Sequence, residues 1–290
     1  MNPVILTFDL EYWFESYSLK KYLKGTENDS VANFVDRAVV LLGKNGATAT
    51  FFVTEKVLSR EPELVKKLHL TGQEIAIHSF DHKPLWQKTP EDFTEEIKLM
   101  KEKIKALTGI NPIGHRAPNF SLDYRTGWCL QILRDQKLKY DSSLFPYQLP
   151  KIINHIFKDS AYGFNSERFT PYIINQTELI KKDLTHPLIE FPLSVYHWRK
   201  FRLPLTGGIY IRLIPWIVFS YLLRKKLKRE TACLHFHPFD FLAHPPNIPM
   251  PRHKKFIKFF NTNRTWQKLE TLMAQYRCLS IRHYYEQYYD

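Results

Sequence analysis

Cysteine is scarce in this chain. Cys129, Cys233 and Cys278 stand far apart, with no C-x-x-C pair. That excludes a disulfide framework and a zinc ribbon, and it fits a reducing compartment. Acidic residues are also short, 29 against 42 basic ones, for a formal charge of +13. Such a surface favours anionic partners: nucleic acid, acidic glycan, diphosphate or an anionic membrane face. No recognisable nucleic-acid motif accompanies the charge, so nucleic acid is not expected as a partner. Long apolar runs are missing too. The most apolar stretch, 213–223, is too short to span a bilayer and is interrupted by Pro215. The first residues lack a basic n-region, a long apolar segment and a small-residue cleavage site, so no secretion signal is expected. Internal repeats, low-complexity linkers and a visible domain boundary are absent as well.

What remains is a globular composition. Of 290 residues, 44% are hydrophobic and 15% aromatic, enough for a large core in one elaborated domain over 1–290. The first half alternates strand and helix with short turns. Apolar runs at 4–10, 47–53, 74–77 and near Ile113 read as strands. Amphipathic stretches at 31–42, 61–70, 90–107 and 123–136 read as helices between them. Thr89-Pro90 opens the third helix and Gly109 closes it. This alternation predicts a parallel sheet with helices outside, open or closed as a barrel. After a polar loop at 19–30 and this regular half, residues 145–182 are irregular, and 143–230 reads as an insertion. Strands are expected again at 188–193 and 231–237, a loop at 203–208, a helix at 265–276 and a last strand at 278–282.

The opening strand ends on two carboxylates, Asp9 and Glu11. In an extended chain, residues i and i+2 face the same side, so the two acids converge where charge is costly without a cation or hydrogen-bond partner. By itself this pair also fits a solvated strand end or an arginine partner. A second stretch, Ile75 through His82, carries His78 and His82. Four residues apart, they lie on one face of a helical turn and can both reach one metal ion at about 2.0–2.1 Å. H-x-x-x-H alone is a weak signal among 12 histidines. Its position at a strand's end, on the same sheet edge as Asp9 and Glu11, strengthens it.

Five motifs follow in order: Thr7-Phe8-Asp9, His78-Ser79-x-x-His82, Arg116-x-Pro118, Tyr140-Asp141-Ser142-Ser143 and Leu234-His235-Phe236-His237. The set resembles the polysaccharide deacetylases with a NodB-type domain (carbohydrate esterase family 4 and relatives), over nearly the whole chain. Gly207-Gly208-x-Tyr210-x-Arg212-Leu213 and His237-Pro238-Phe239-Asp240 resemble the branch found in exopolysaccharide and surface-glycan loci. The resemblance implies a distorted (β/α)7-type barrel and metal-dependent removal of an N-acetyl group from an aminosugar. It implies Asp9 as general base, His78 and His82 as metal ligands, and Arg116 as the residue orienting the base. It implies Asp141 as the acid orienting the catalytic histidine, and His237 as that histidine, with His235 as the alternative. Asn119, Trp13 and Tyr210 are the expected substrate-binding residues, with a backbone N–H near Asn119 available to an oxyanion. The metal is expected to be zinc, with cobalt or nickel as alternatives. His115, His186, His197, His244 and His253 receive no role.

One departure stands out. The usual first motif has two adjacent acids, the second binding metal, and that second position is Leu10 here. Glu11 is the nearest replacement and becomes the third ligand. The competing assignments make Asp9 the ligand and Glu11 the base, or turn to Asp81. The segment 209–229 pairs an apolar stretch with Arg224-Lys225-Lys226 and Lys228-Arg229. It fits a buried helix of the barrel wall with a basic last turn, or a helix lying in a membrane interface. The second reading suits a polyprenyl-linked aminosugar as substrate, met at an anionic cytoplasmic membrane face. Two further functions share the scaffold: a deformylase or cyclic-amide hydrolase, and an inactive glycan-binding member in which Leu10 marks a lost metal site.

Overall fold

In the computed structural model, which describes residues 1–23, 29–146, 170–174, 187–198 and 201–290, eight strands run parallel in one curled nine-stranded sheet, and two more form a separate hairpin. The strands are β1 (Val4–Leu10), β2 (Thr50–Thr54), β3 (Glu74–Ser79), β4 (Gly114–His115), β5 (Tyr140–Asp141), β6 (Tyr172–Ile174), β7 (Leu188–Glu190), β8 (Val195–Trp198), β9 (Phe201–Pro204), β10 (Ala232–Phe236) and β11 (Cys278–Leu279). The parallel path is β10-β1-β2-β3-β4-β5-β7, with β6 antiparallel beyond β7 and β11 parallel beside β1. Beyond β7 the chain turns back toward β10. Ser194 N–H donates to the Cys233 carbonyl at 3.1 Å, and Ser194 Oγ accepts from Cys233 N–H at 2.7 Å. The expected distorted (β/α)7-type barrel is therefore borne out as a half-barrel whose rim this segment spans. His186, most of 145–182 and part of the 19–30 loop lie outside the described residues.

Strand alternation divides the core into two layers. Val4, Leu6, Phe8 and Leu10 of β1 face the outer layer between sheet and helices, with Ile75 and Ile77 of β3 and Leu234 and Phe236 of β10. Ile5, Phe52, Ala76, Tyr140 and Cys233 face inward. The outer layer is strongly aromatic: the Phe8 ring lies 5.0 Å from Phe51 and 5.4 Å from Phe34. Each fully buried side chain of this size contributes roughly 1.5–3 kcal/mol. This layer therefore fixes the register that sends Asp9, His78 and His235 to the opposite, inner side.

The helices follow the sequence where caps and periodicity agree. Thr89 caps Pro90–Thr108 by accepting from Asp92 N–H at 3.1 Å, and Gly109 ends it in the left-handed region. Three expectations need correction. The helix expected from Asp123 starts only at Cys129. Ahead of it, Thr126 Oγ1 donates to the Ser121 carbonyl and accepts from Asp123 N–H, and such local bonds compete with helix. The loop expected at 203–208 begins inside β9, which forms an antiparallel hairpin with β8. The final strand stops at Leu279. Ser280 then caps a helix, Ile281–Tyr288, that buries Ile281 and Tyr285 four apart.

Candidate active site

The C-terminal ends of β1, β3, β4 and β10 deliver the expected residues to one cleft of about 270 Å³. Asp9, Glu11, His78, His82, His235 and His237 all line it. Leu10 does not, because alternation turns it into the outer core. Glu11 lies just past the strand, where its N–H donates to the Asp9 carbonyl at 3.0 Å. The acid-x-acid spacing therefore brings both carboxylates to the inner side.

The two histidines of the second motif do not share a helical turn. His78 is the penultimate residue of β3, and His82 sits in the left-handed region at φ 53° after a short loop. Ser79 Oγ accepts from His82 N–H at 3.0 Å and folds the loop back, which leaves the two rings 5.1 Å apart. His78 Nδ1 donates to the Arg116 carbonyl at 2.8 Å, so its lone pair is on Nε2. That Nε2 is 3.9 Å from Glu11 Oε2, which also lies against His82 Nε2. Glu11, His78 and His82 are all buried, with one ligand atom each within 4.8 Å of one another. One carboxylate and two imidazoles fit a divalent cation in both charge and donor type. Glu11 Oε2 is also buried, and among the described residues it has no partner besides these imidazoles.

Asp9 is held from the other side. Its Oδ1 accepts from Arg116 Nη1 at 2.6 Å, while Oδ2 faces His235 Nε2 at 3.6 Å and His78 Nε2 at 3.8 Å. Arg116 is wholly buried. It also donates to Thr7 Oγ1, the Ser142 carbonyl and Ser142 Oγ, and it lies 4.1 Å over the Phe52 ring. Burial alone would raise the pKa of Asp9, but Arg116 with His78, His235 and His237 holds it well below the usual carboxylate range. Glu11 follows the same balance: burial raises it, and His82, His237 and His78 bring it down to about 2. Burial pushes His78 down to about 4 and His235 down to about 3. For His82, burial works downward and Glu11 overcomes it, so its pKa rises.

His237 is the most open imidazole of the group, 22% exposed at the side chain. Its Nε2 lies 3.8 Å from Glu11 Oε1 and 4.0 Å from Asp9 Oδ2. With Asp9 and His235 it makes a second group whose atoms could meet one cation. Asp141, expected beside His237, is elsewhere. It bonds His115 Nδ1 at 2.7 Å and Ser143 Oγ at 2.8 Å, two strands removed from β3 and on the far side of Arg116. The carboxylate at His237 is Asp240. Its Oδ2 accepts from His237 N–H at 2.9 Å and lies 3.3 Å from Nδ1, in a turn started by Pro238. Arg212 Nη2 donates to Asp240 Oδ1 at 2.8 Å. Burial opposes the charge on Asp240, but Arg212 and His237 keep it well below the ordinary range. Both residues stood in quoted motifs. The i, i+3 spacing of His237 and Asp240 after a strand was the signal that could have found the pair.

Asn119 and Tyr210 line the cleft as expected. Asn119 is in the left-handed region at φ 56°, and its Nδ2 is buried without a hydrogen-bond partner among the described residues. Trp13 is corrected: it packs edge-on against Phe14 in the core and does not line the cleft. Asp81, the weaker third ligand choice, pairs with Lys83 and Lys88 instead.

Residues 2–140 match the family model for polysaccharide deacetylase, and residues 155–286 match a domain of unknown function, DUF3473. Residues 2–140 form a polysaccharide deacetylase domain. Within this part of the chain lie Asp9, Glu11, His78, His82 and Arg116, whereas His235, His237 and Asp240 come from the DUF3473 region. The chain is 30% identical over 112 residues to the peptidoglycan-N-acetylmuramic acid deacetylase PdaA of Bacillus subtilis, covering 38% of this chain and 41% of that protein. It spans less than half the length of the curated relatives it matches. A Mycobacterium smegmatis structure assigned to the polysaccharide deacetylases superposes with a TM-score of 0.57 at 18% identity, covering 99% of this chain and 93% of that one. A CE4 family pseudoenzyme from Bacillus anthracis superposes with a TM-score of 0.51 at 11% identity, covering 97% and 65%. At these identities the structural likeness speaks to the fold alone.

Proposed function

We propose that this chain is a metal-dependent hydrolase that removes the N-acetyl group from an aminosugar, carried in a glycan or on a polyprenyl-linked sugar. One observation carries the reading: a carboxylate–imidazole–imidazole set, an arginine-held carboxylate and an aspartate-held histidine line the same cleft. Glu11, His78 and His82 would hold the cation, zinc with cobalt or nickel as alternatives. When bound, the cation supplies Lewis-acid activation of water near pH 7 and polarises the acetyl carbonyl.

The remaining chemistry belongs to the side chains. Asp9 has one oxygen committed to Arg116 and the other facing the cleft, so it stays ionised and takes the water's proton at Oδ2. The amide C–N bond breaks, hydroxide remains on the acyl carbon as acetate, and the sugar nitrogen gains a proton. His237 delivers that proton from Nε2, because Asp240 fixes the ring through Nδ1. His235 is the poorer donor, since burial keeps it neutral. The unpartnered Asn119 amide is available to the substrate's carbonyl or hydroxyls. Acetate release from free, polymeric and polyprenyl-linked N-acetylhexosamines, with and without zinc or cobalt, tests the proposal. Release that depends on metal supports it, and silence across the panel with metal bound overturns it. Leu10, in the usual ligand position, favours an inactive glycan-binding member as the second reading. Glycan binding without tight divalent metal binding would select that one.

The partner reading extends to an anionic membrane at the cytoplasmic face. The helix Trp216–Leu227 buries Phe219, Leu223 and Leu227 but exposes Ile217, Val218 and Tyr221, and Leu213 at the end of the preceding helix is exposed as well. This apolar stripe runs into exposed Arg224, Lys225, Lys228 and Arg229, and no acidic residue occurs from Gly208 to Arg229. An apolar stripe with a basic end suits anionic lipid. No described helix is long and apolar enough to cross a membrane. Flotation with vesicles containing anionic lipid tests it. Binding lost in Ile217→Glu and in Arg224→Glu/Lys225→Glu supports it. No flotation, or dimerisation through this face instead, overturns it. Lys226 is unsuitable for the test because it is buried against Glu230.

A further inference from the structure

We propose that the cleft contains a subsite for an anionic substituent on the sugar, a phosphate or a carboxylate, built by Lys254 and Lys258. The inference rests on the aminosugar reading of the cleft given above. The helix Arg252–Phe259 forms one wall, and Lys254, Ile257 and Lys258 line the cleft from it. Residues four apart share a helix face, so the two ammonium groups stand one turn from each other on the same wall.

Among the described residues, neither lysine is matched by an acid of its own. No acidic residue occurs between Asp240 and Glu270. Lys258 Nζ donates to Ser16 Oγ at 3.2 Å and lies 4.2 Å over the Phe239 ring. The acids that act on it electrostatically are Glu11 and Asp240. Both are committed elsewhere, Glu11 to the histidine pair and Asp240 to Arg212 and His237. Lys254 makes no ion pair or hydrogen bond among the described residues. Two cations on the wall of a ligand cleft, one of them partly desolvated, stand uncompensated once a divalent cation neutralises Glu11. The Asp9 and Asp240 charges are already balanced by Arg116 and Arg212. An anion on the substrate completes this balance. A neutral N-acetylhexosamine leaves it open.

The chemistry is shared by two sources, a sugar phosphate and a ring or ether carboxylate. The test measures calorimetric affinity of zinc-loaded protein for N-acetylglucosamine, N-acetylglucosamine 1-phosphate and N-acetylmuramic acid, with acetate release followed on the same three. At least one anionic sugar is expected to bind about tenfold more tightly than the neutral one. That preference is expected to fall away in Lys254→Gln, to return in Lys254→Arg and to weaken with added salt, while affinity for the neutral sugar stays unchanged in both variants. The phosphate and carboxylate arms tell which source fits. Equal binding of all three sugars overturns the proposal, as does a preference that survives Lys254→Gln/Lys258→Gln. A charge preference with no acetate release from these sugars or from the polymeric and polyprenyl-linked panel leaves the subsite standing and removes the deacetylation reading. Acetate release without a charge preference does the reverse.

Discussion

Replacing Arg116 with methionine probes the centre of the site. The guanidinium is wholly buried and satisfies Asp9, Thr7 and both oxygens offered by Ser142. Methionine fills much of the volume and removes every one of these bonds. Asp9 is then a buried carboxylate without its main counter-charge. Breaking such a pair from one side costs about 3–5 kcal/mol, a large part of a typical stability of roughly 5–15 kcal/mol. At roughly 2–4 °C per kcal/mol for a chain of this class, the metal-free variant should melt about 6–20 °C lower. The double variant Arg116→Met/Asp9→Asn removes the stranded charge as well. Its loss should fall short of the sum of the two single losses by about 2–3 kcal/mol. Urea unfolding at pH 7 in chelator, on the wild type, both singles and the double, measures this coupling. Additivity within about 0.5 kcal/mol would refute the view that Arg116 exists to hold Asp9 charged.

Other outcomes follow from the same geometry. Burial holds His78 down to about 4 and His235 down to about 3 when folded, so the unfolded chain binds more protons between about pH 4 and 6.5. The stability of the metal-free protein should therefore rise as pH rises across that window, and His235→Gln should flatten the urea midpoint profile. The lowered pKa of Glu11 adds stability that is present above about 4.5 and lost as pH falls toward about 2. Asp240→Asn loosens His237 without touching Glu11, His78 or His82. It should lower kcat by roughly 10–100-fold with KM nearly unchanged, read by steady-state kinetics. Gly207 sits at φ 94°, and a Cβ there would lie 2.8 Å from the His235 carbonyl oxygen. Gly207→Ala should cost about 1–3 kcal/mol in thermal unfolding.

Much of this site was legible because strands enforce a period of two. Asp9 and Glu11, or Ala76 and His78, could be placed on one side of a sheet without knowing what the sheet packed against. The same rule explains why Leu10 leaves no gap: it belongs to the outer core. Where the reading failed, the decisive contact was set by tertiary structure or by a short loop. The resemblance implied Asp141 as the acid beside His237, but the sheet order puts it beside His115. Asp240 reaches His237 through a local turn that strand logic does not predict. His82 reaches His78 by a left-handed turn instead of helical spacing. Trp13 was expected to bind substrate, yet its bulk packs in the core. The lysines of the 252–259 helix carried no motif at all, and only the fold brings them to the cleft.

The central claim is that Glu11, His78 and His82 hold the metal while Asp9 handles the proton. Zinc affinity measured by chelator competition on the wild type, Glu11→Gln and Asp9→Asn tests it most directly. A loss of roughly 100-fold or more is expected in Glu11→Gln and about tenfold at most in Asp9→Asn. Full affinity in Glu11→Gln, with affinity lost in Asp9→Asn, would contradict it and reverse the two roles.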